Sequence, residues 1–360
     1  MDHVQNSTPH LQFLSELLLA SSGGTHADHV ISSLNEEELE KLKALAITNH
    51  VIMRSFKPLA GIFESRGLSA QAQWSTNALN EEQGRIDHAL GFLARICSAF
   101  ERAGSPVTVI KSLDHWPDLG SDLDLYADAE ASEIVAVMGE EFNAKLADRS
   151  WGDRLANKWN FIVPGLPELI EVHVGRLGQT GEQTSLSRSL SARSRTVTVG
   201  SHSFRVPAPE DRFVVSTLQR MYRHFYIRLC DIVDNALLLD ARHIDFEYLH
   251  SLGSAAGLWE GIATYLTIIS GYVEQYRGFG VPLPSLVTGS AKFGVDKVHF
   301  RRDFLRVPIL PHSLNLYAGE LKTLLLKGDL RNSFRLSLLP GLATAAALEQ
   351  KITGSDKGIW

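Results

Sequence analysis

Cysteine is scarce in this chain: its 360 residues include two, Cys97 and Cys230, in stretches that read as helical and without paired spacing. That excludes a disulfide scaffold and a cysteine-built zinc module, and a reducing cytoplasm is the expected location. An excess of basic charge is missing as well. Lysine and arginine number 35 against 41 acids, a formal charge of -6, so neither a global positive field nor a basic, aromatic-rich stripe points to nucleic acid. Long hydrophobic runs are also absent. The longest nearly apolar stretch, 336–348, is interrupted by Ser337 and Pro340 and falls short of the about 20 residues a membrane-spanning helix needs. No membrane span is therefore expected. The opening Met1-Asp-His-Val-Gln-Asn-Ser-Thr lacks the basic start and apolar core of a signal peptide, so secretion is not expected. What remains is an ordinary globular balance, 44% hydrophobic and 21% charged, with enough apolar material for more than one core.

The texture changes twice along the chain. Residues before about 104 read as helices. Over 79–103 the apolar positions Ile86, Leu90, Leu93, Cys97 and Phe100 recur in steps of four and three, forming one face that needs a partner. From Ser105 the pattern turns to strands: Val107-Thr-Val-Ile110, then a short connection with Pro117-Asp118 and Gly120 as breakers, then Leu123-Asp-Leu-Tyr126. Residues 129–142 keep helical spacing through Ile134, Val137, Met138 and Phe142. Trp159-Asn-Phe-Ile-Val163 and Leu169-Ile-Glu-Val-His-Val174, separated by a Pro-Gly turn, predict an antiparallel pair, and Thr196–Val199 with Ser203–Val206 repeat the hairpin pattern. The serine-rich segment 185–194 reads as an exposed connection. After Pro207 and Pro209, the spacing of Val214, Leu218, Met221, Phe225, Leu229, Ile232 and Ala236 predicts one continuous helix, with further helices to follow. The expectation is an α+β fold in three parts: helical over 1–104, a mixed-sheet core over 105–206, and helical over 207–360.

The chemistry concentrates at Leu119-Gly-Ser-Asp-Leu-Asp-Leu125. Residues two apart on a strand share a face, so Asp122 and Asp124 project together while Leu123 and Leu125 enter a core. Two adjacent carboxylates on a half-buried strand call for a cation, and a hard ion such as magnesium suits oxygen ligands. In phosphoryl chemistry two such ions, about 3.5 to 4 Å apart, clamp the reacting oxygens. A third acid from a neighbouring strand would complete the cradle, and Glu171, which alternates onto one face with His173, is the candidate. Lys111 would supply a point cation to phosphate, and His173 would orient Glu171 or move a proton. On the expected long helix His224, Arg228 and Asp231 fall on one stripe, where Arg228 would hold phosphate and Asp231 would fix it. Arg220 and Arg223 read as solvated, and Asp114, Asp118 and Asp128 as turn or helix-cap residues.

A β-run ending in Lys111-Ser112, nine residues to Asp122-Leu-Asp124, and an acid on a later strand resemble the nucleotidyltransferase superfamily of the polymerase β type. The resemblance narrows to the bacterial family called uncharacterised nucleotidyltransferases, whose Lys-Gly, Asp-x-Asp, acid-x-His and downstream His and Arg-x-x-Asp are matched by Lys111-Ser112, Asp122-Leu-Asp124, Glu171-Val-His173, His224 and Arg228-Leu-Cys-Asp231. It covers residues 42–269. One departure is Ser112 where the family has glycine, whose backbone approaches phosphate closely; the serine hydroxyl would take over by bonding phosphate itself. The resemblance implies a mixed sheet with a short helix between the first strand and Asp-x-Asp. It implies metal binding by Asp122, Asp124 and Glu171, and nucleotide binding by Lys111, Ser112, His173, His224, Arg228 and Asp231. Two magnesium ions would serve transfer of a nucleoside monophosphate, AMP from ATP or the equivalent from another NTP, to a hydroxyl or phosphate of an acceptor. Family members occur beside natural-product and polysaccharide genes, which implies a small-molecule or peptide acceptor. The alternative is a degenerate domain that binds nucleotide or a partner without turnover.

Overall fold

The computed structural model describes residues 9–20, 31, 34–301 and 303–341. The start of the chain and residues 342–348, read above for a leader and a membrane span, lie outside these. Among the described residues no helix is long and apolar enough to cross a membrane.

Helices Pro9–Leu19, Glu36–Thr48, Ile52–Ser65 and Ser69–Arg102 open the chain. Asn35 caps the second by accepting the Glu38 N–H at 3.0 Å, and three glutamates in its first turn suit the positive end of the helix dipole. The fourth helix extends ten residues further towards the N-terminus than its apolar spacing announced. The mixed sheet follows: β1 Val107–Val109, β2 Asp122–Ala127, β3 Lys145–Leu146, β4 Lys158–Ile162 and β5 Leu169–Val174, in the order β1-β2-β5-β4-β3. β2 runs antiparallel to β1 and parallel to β5, and β4 pairs antiparallel with β5 as the Pro-Gly turn predicted. The architecture is α+β, as expected.

One sheet face carries Leu123, Leu125, Ile170, Val172 and Phe161 and packs on Ile86, Leu90, Leu93 and Phe100 of the long helix, with Ile134 and Met138 closing the core. The apolar helix stripe thus finds its partner in the sheet, and truncating Leu93 to alanine there costs about 2–5 kcal/mol. The opposite face carries the charged residues. A hairpin of β6 Arg195–Val199 and β7 His202–Val206 joins the same core through Phe204 and Val206. A second core combines Leu14, Leu42, Phe56 and Phe63 from the first helices with Phe213, Leu218, Ile262, Tyr265 and Leu316 from the last part of the chain.

Three expectations are corrected. The serine-rich segment is a helix, Thr184–Ala192, because Leu186 and Leu190 bury one turn apart while Ser187 donates to the Gly175 carbonyl and Ser189 to Asp211. The long helix after Pro209 is broken: helix Pro209–Gln219 widens into a turn at Arg220–His224, reverses at Phe225 with φ of 53°, and forms β8 Tyr226–Ile227 before helix Leu229–Asp240 starts. The final third is not purely helical either, since β8 joins β9 His299–Arg301 and β10 Phe304–Arg306 in a small antiparallel sheet.

Candidate active site

The site is built on the turn that leaves β1. Lys111 has φ of 61° and ψ of -57°, and the Ser112 N–H donates to the Ile110 carbonyl at 2.6 Å. This is a tight three-residue turn, strained for a residue with a side chain. A short helical turn, Ser112–His115, follows and leads towards β2, as the resemblance implied. The Ser112 hydroxyl accepts the Asp124 N–H at 2.8 Å and donates to the Asp122 carbonyl at 3.3 Å. It therefore staples the turn to the strand of the carboxylates, and at 2% exposure it faces backbone, not an open phosphate site.

The parallel register sets Asp124 directly beside Glu171, so both carboxylates leave the same face. Lys111 pairs with Asp124 and lies 3.5 Å from Glu171, while His173 Nε2 stands 2.9 Å from Glu171 and 3.8 Å from Asp124. Lys158, a residue that motif reading passed over, sits opposite His173 on β4 and brings its ammonium 2.6 Å from Glu171 and 3.1 Å from Asp153. Burial alone would raise the Glu171 carboxyl, but Lys111, Lys158 and His173 together hold it well below the usual carboxylate range. Lys111 stays firmly charged: burial works against its ammonium, yet Asp124 and Glu171 raise it above the ordinary lysine value.

Asp122 differs. Burial, then the charges of Asp124 and Glu171, push its carboxyl up to about 6, and among the described residues it has no ion pair. A carboxylate without a cation, two residues from a second on the same face, is a set of hard oxygen donors that fits a divalent ion such as magnesium. Asp124, Glu171 and His173 also lie close enough together to share an ion.

The downstream residues do not form the stripe expected of them, because the helix that would have aligned them is broken. His224 closes the widened turn, and burial, followed by Arg223, Arg220 and Lys111, lowers it well below the usual histidine range. Arg228 caps helix Leu229–Asp240; its Nη1 reaches His50 Nε2 at 2.8 Å and its backbone N–H donates to Asp231 at 2.8 Å. Asp231 fixes Arg220, not the Arg228 guanidinium, at 2.7 Å. Arg220 is 2% exposed, which corrects its reading as solvated. Arg223 faces Lys111 and His173 across a small pocket also lined by Gly178 and Gln179. Asp118 is a helix cap, as read, but for a distant helix: it accepts the Met53 and Arg54 N–H groups at 2.6 and 3.3 Å. His115, Cys230 and Asp231 form a second close buried group, yet His115 already meets Asp234 at 2.5 Å, so the cluster is tied into the scaffold.

A cleft of about 530 Å³ opens at the segment just before Asp122, lined by Gly120 and Ser121, by Glu82 and Arg85 of the long helix, and by His50 and Glu168. Arg85 is held by Glu82 at 2.7 Å and Glu168 at 2.6 Å. Burial, then the Arg228 guanidinium, pushes His50 well below the usual range, so it is neutral and accepts from Arg228.

A strained turn after β1, a short helical turn, an Asp-x-Asp strand and a third acid abreast of it on a parallel neighbour occur together here. The family model for uncharacterised nucleotidyltransferases matches residues 35–270. The chain belongs to that family. No curated protein matches it. Membership makes nucleotidyl transfer the general function of this nucleotidyltransferase and an NTP its implied substrate. The matched span includes the sheet, the helices Glu36–Thr48, Ile52–Ser65 and Ser69–Arg102 and the broken helix with Arg220, Arg223 and Arg228, and the residues that line the cleft all fall within it.

Proposed function

We propose that the protein transfers a nucleoside monophosphate, AMP from ATP in the leading case, to a hydroxyl or phosphate of a small-molecule or peptide acceptor and releases pyrophosphate. The observation that carries this is the register of β2 with β5, which sets Asp124 abreast of Glu171 with Asp122 two residues away on the same face. Asp122 and Asp124 would hold magnesium, with Glu171 at the edge of a second position. Two such ions would neutralise phosphate charge and hold the reacting groups in line. Lys111 and Arg223 line the pocket on one side of the carboxylates and would attract the triphosphate. The cleft lined by Ser121, the residue before Asp122, would admit the acceptor. Catalysis here would consist of positioning and charge stabilisation.

A second reading is a binding protein without turnover, favoured by the way Lys111 and Lys158 already occupy Asp124 and Glu171. Incubating the protein with magnesium, each α-labelled NTP and a cell lysate separates the two. Labelled product that disappears with Asp124→Asn supports transfer. Magnesium-dependent NTP binding with no pyrophosphate release under any acceptor supports the second reading, and label unchanged by Asp124→Asn refutes the assigned site.

A further inference from the structure

Lys158 is an unusual lysine. It is 5% exposed, in a charged cluster, and two carboxylates, from Asp153 at 3.1 Å and Glu171 at 2.6 Å, hold its ammonium. One of them, Asp153, is itself immobilised: it accepts the Ser150 N–H at 3.1 Å while its own N–H donates to the Ser150 hydroxyl at 3.0 Å. The other is Glu171. Burying an ammonium costs several kcal/mol of hydration unless it is fully paired, so this arrangement is built around the lysine and is not incidental to it. The backbone agrees, because the β4–β5 register puts Lys158 opposite His173 on the charged face whatever rotamer it takes.

The charges, together with the ammonium that occupies Glu171, then limit how many ions the protein can hold by itself. Asp122, Asp124, Asp153 and Glu171 face Lys111 and Lys158, which leaves two negative charges uncompensated, the charge of one divalent cation. Arg223 lies near Lys111 but forms no ion pair with these carboxylates among the described residues. The free carboxylate is Asp122, at the far end of the cluster from Lys158. A second dication beside Glu171 would meet two buried ammonium groups with no anion left to balance it. A triphosphate would change that balance, because magnesium characteristically completes its shell with substrate phosphate oxygens.

We propose that the nucleotide-free protein binds a single divalent cation, at Asp122 and Asp124, and that Lys158 keeps Glu171 closed to a second ion until an NTP brings one. Lys158 is thus a positioning residue that makes the second ion conditional on substrate. The role of the NTP in this rests on the nucleotidyl-transfer reading; the nucleotide-free count does not.

The test is to count bound Mn²⁺ on the full chain by isothermal titration calorimetry and by electron paramagnetic resonance, without nucleotide. One Mn²⁺ per chain is expected, and Asp122→Asn should weaken it by about tenfold or more. Lys158→Met frees Glu171 and leaves three negative charges, so at saturating Mn²⁺ the count should rise to two with the second ion held more weakly than the first, and Glu171→Gln should leave the single site nearly unchanged. Adding the non-hydrolysable α,β-methylene analogue of ATP should raise the wild-type count to two. Two Mn²⁺ on the nucleotide-free wild type would overturn the proposal, as would a count of one on folded Lys158→Met. If Lys158→Met does not fold, Glu171→Gln decides: loss of the single site with that variant makes Glu171 a resident ligand and overturns the proposal. If the analogue binds no form of the protein, the transferase reading fails, while the nucleotide-free counts still judge Lys158.

Discussion

Replacing Ser112 with alanine separates two roles for the residue that departs from the family glycine. If its hydroxyl acts as the staple seen here, the change removes the acceptor of the Asp124 N–H at 2.8 Å and the donor to the Asp122 carbonyl at 3.3 Å. The position is 2% exposed, so water cannot easily replace the lost partner. An orphaned buried donor costs about 1–3 kcal/mol, and for a chain of 360 residues the middle of that range gives a fall in Tm of about 2–4 °C. Ser112→Gly loses the same hydroxyl and should fall by a similar amount. Urea unfolding followed by circular dichroism measures the stability, with an unchanged m-value showing that the compactness of the unfolded state is the same. Titration with magnesium and ATP in parallel measures the ligand side. A variant that melts within about 1 °C of wild type yet loses most of its ATP affinity would refute the staple and return the hydroxyl to a phosphate.

Further predictions concern the supporting structure. Arg220→Met leaves Asp231 buried with, among the described residues, the Arg228 N–H as its remaining donor, so unfolding free energy should drop by about 3–5 kcal/mol; adding Asp231→Asn should recover part of it, and a double variant no better than the single one would contradict the pairing. Glu320 is buried, accepts from Gln183 at 2.5 Å and shares a hydrogen bond with Glu182, and burial first and then Glu182 raise it well above the usual range. The folded chain therefore holds that proton more tightly than the unfolded one, so the stability it contributes is complete below the ordinary carboxylate value and is lost as pH rises through the raised value. Glu320→Gln should flatten that alkaline loss, and parallel stability-versus-pH curves for the two proteins would exclude the shared proton. Gly178 has φ of 91°, and a Cβ there would lie 2.0 Å from a Glu182 oxygen; Gly178→Ala should cost at least about 1 kcal/mol by thermal melting, and an unchanged Tm would mean the loop is not held as described.

The strand half of the site was readable because strand chemistry is local. Alternation alone put Asp122 with Asp124 and Glu171 with His173, and the Pro-Gly turn announced the β4–β5 pair. The partners across strands were not readable. Lys158 precedes the apolar run that marked β4, and its place opposite His173 follows from a register fixed by packing. A lone lysine at the edge of a buried strand was the available signal. The broken helix shows a different limit. Val214, Leu218 and Met221 before the break, and Leu229, Ile232 and Ala236 after it, bury into the same core, so the apolar period runs through a reversal with no glycine or proline to mark it. Phe225 takes the left-handed turn conformation that glycine usually supplies. Arg228 and Asp231, three apart and opposite in charge, suggested a pair on one helix, but the folded turn gives Asp231 to Arg220 instead. In the serine-rich segment, composition outweighed two leucines one turn apart that decide the helix.

Phe56 and Phe63 from the first helices share their core with Phe213, Tyr265 and Leu316. This has a consequence for synthesis on the ribosome. The first helices emerge early, yet the surface that covers them is translated some 150 to 250 residues later, on the order of 10 to 50 s at ordinary elongation rates. During that interval these helices can cover one another only in part, so the nascent chain is a natural client for a chaperone that shields hydrophobic segments. The sheet core, whose parts lie between residues 86 and 206, can close well before that wait is over.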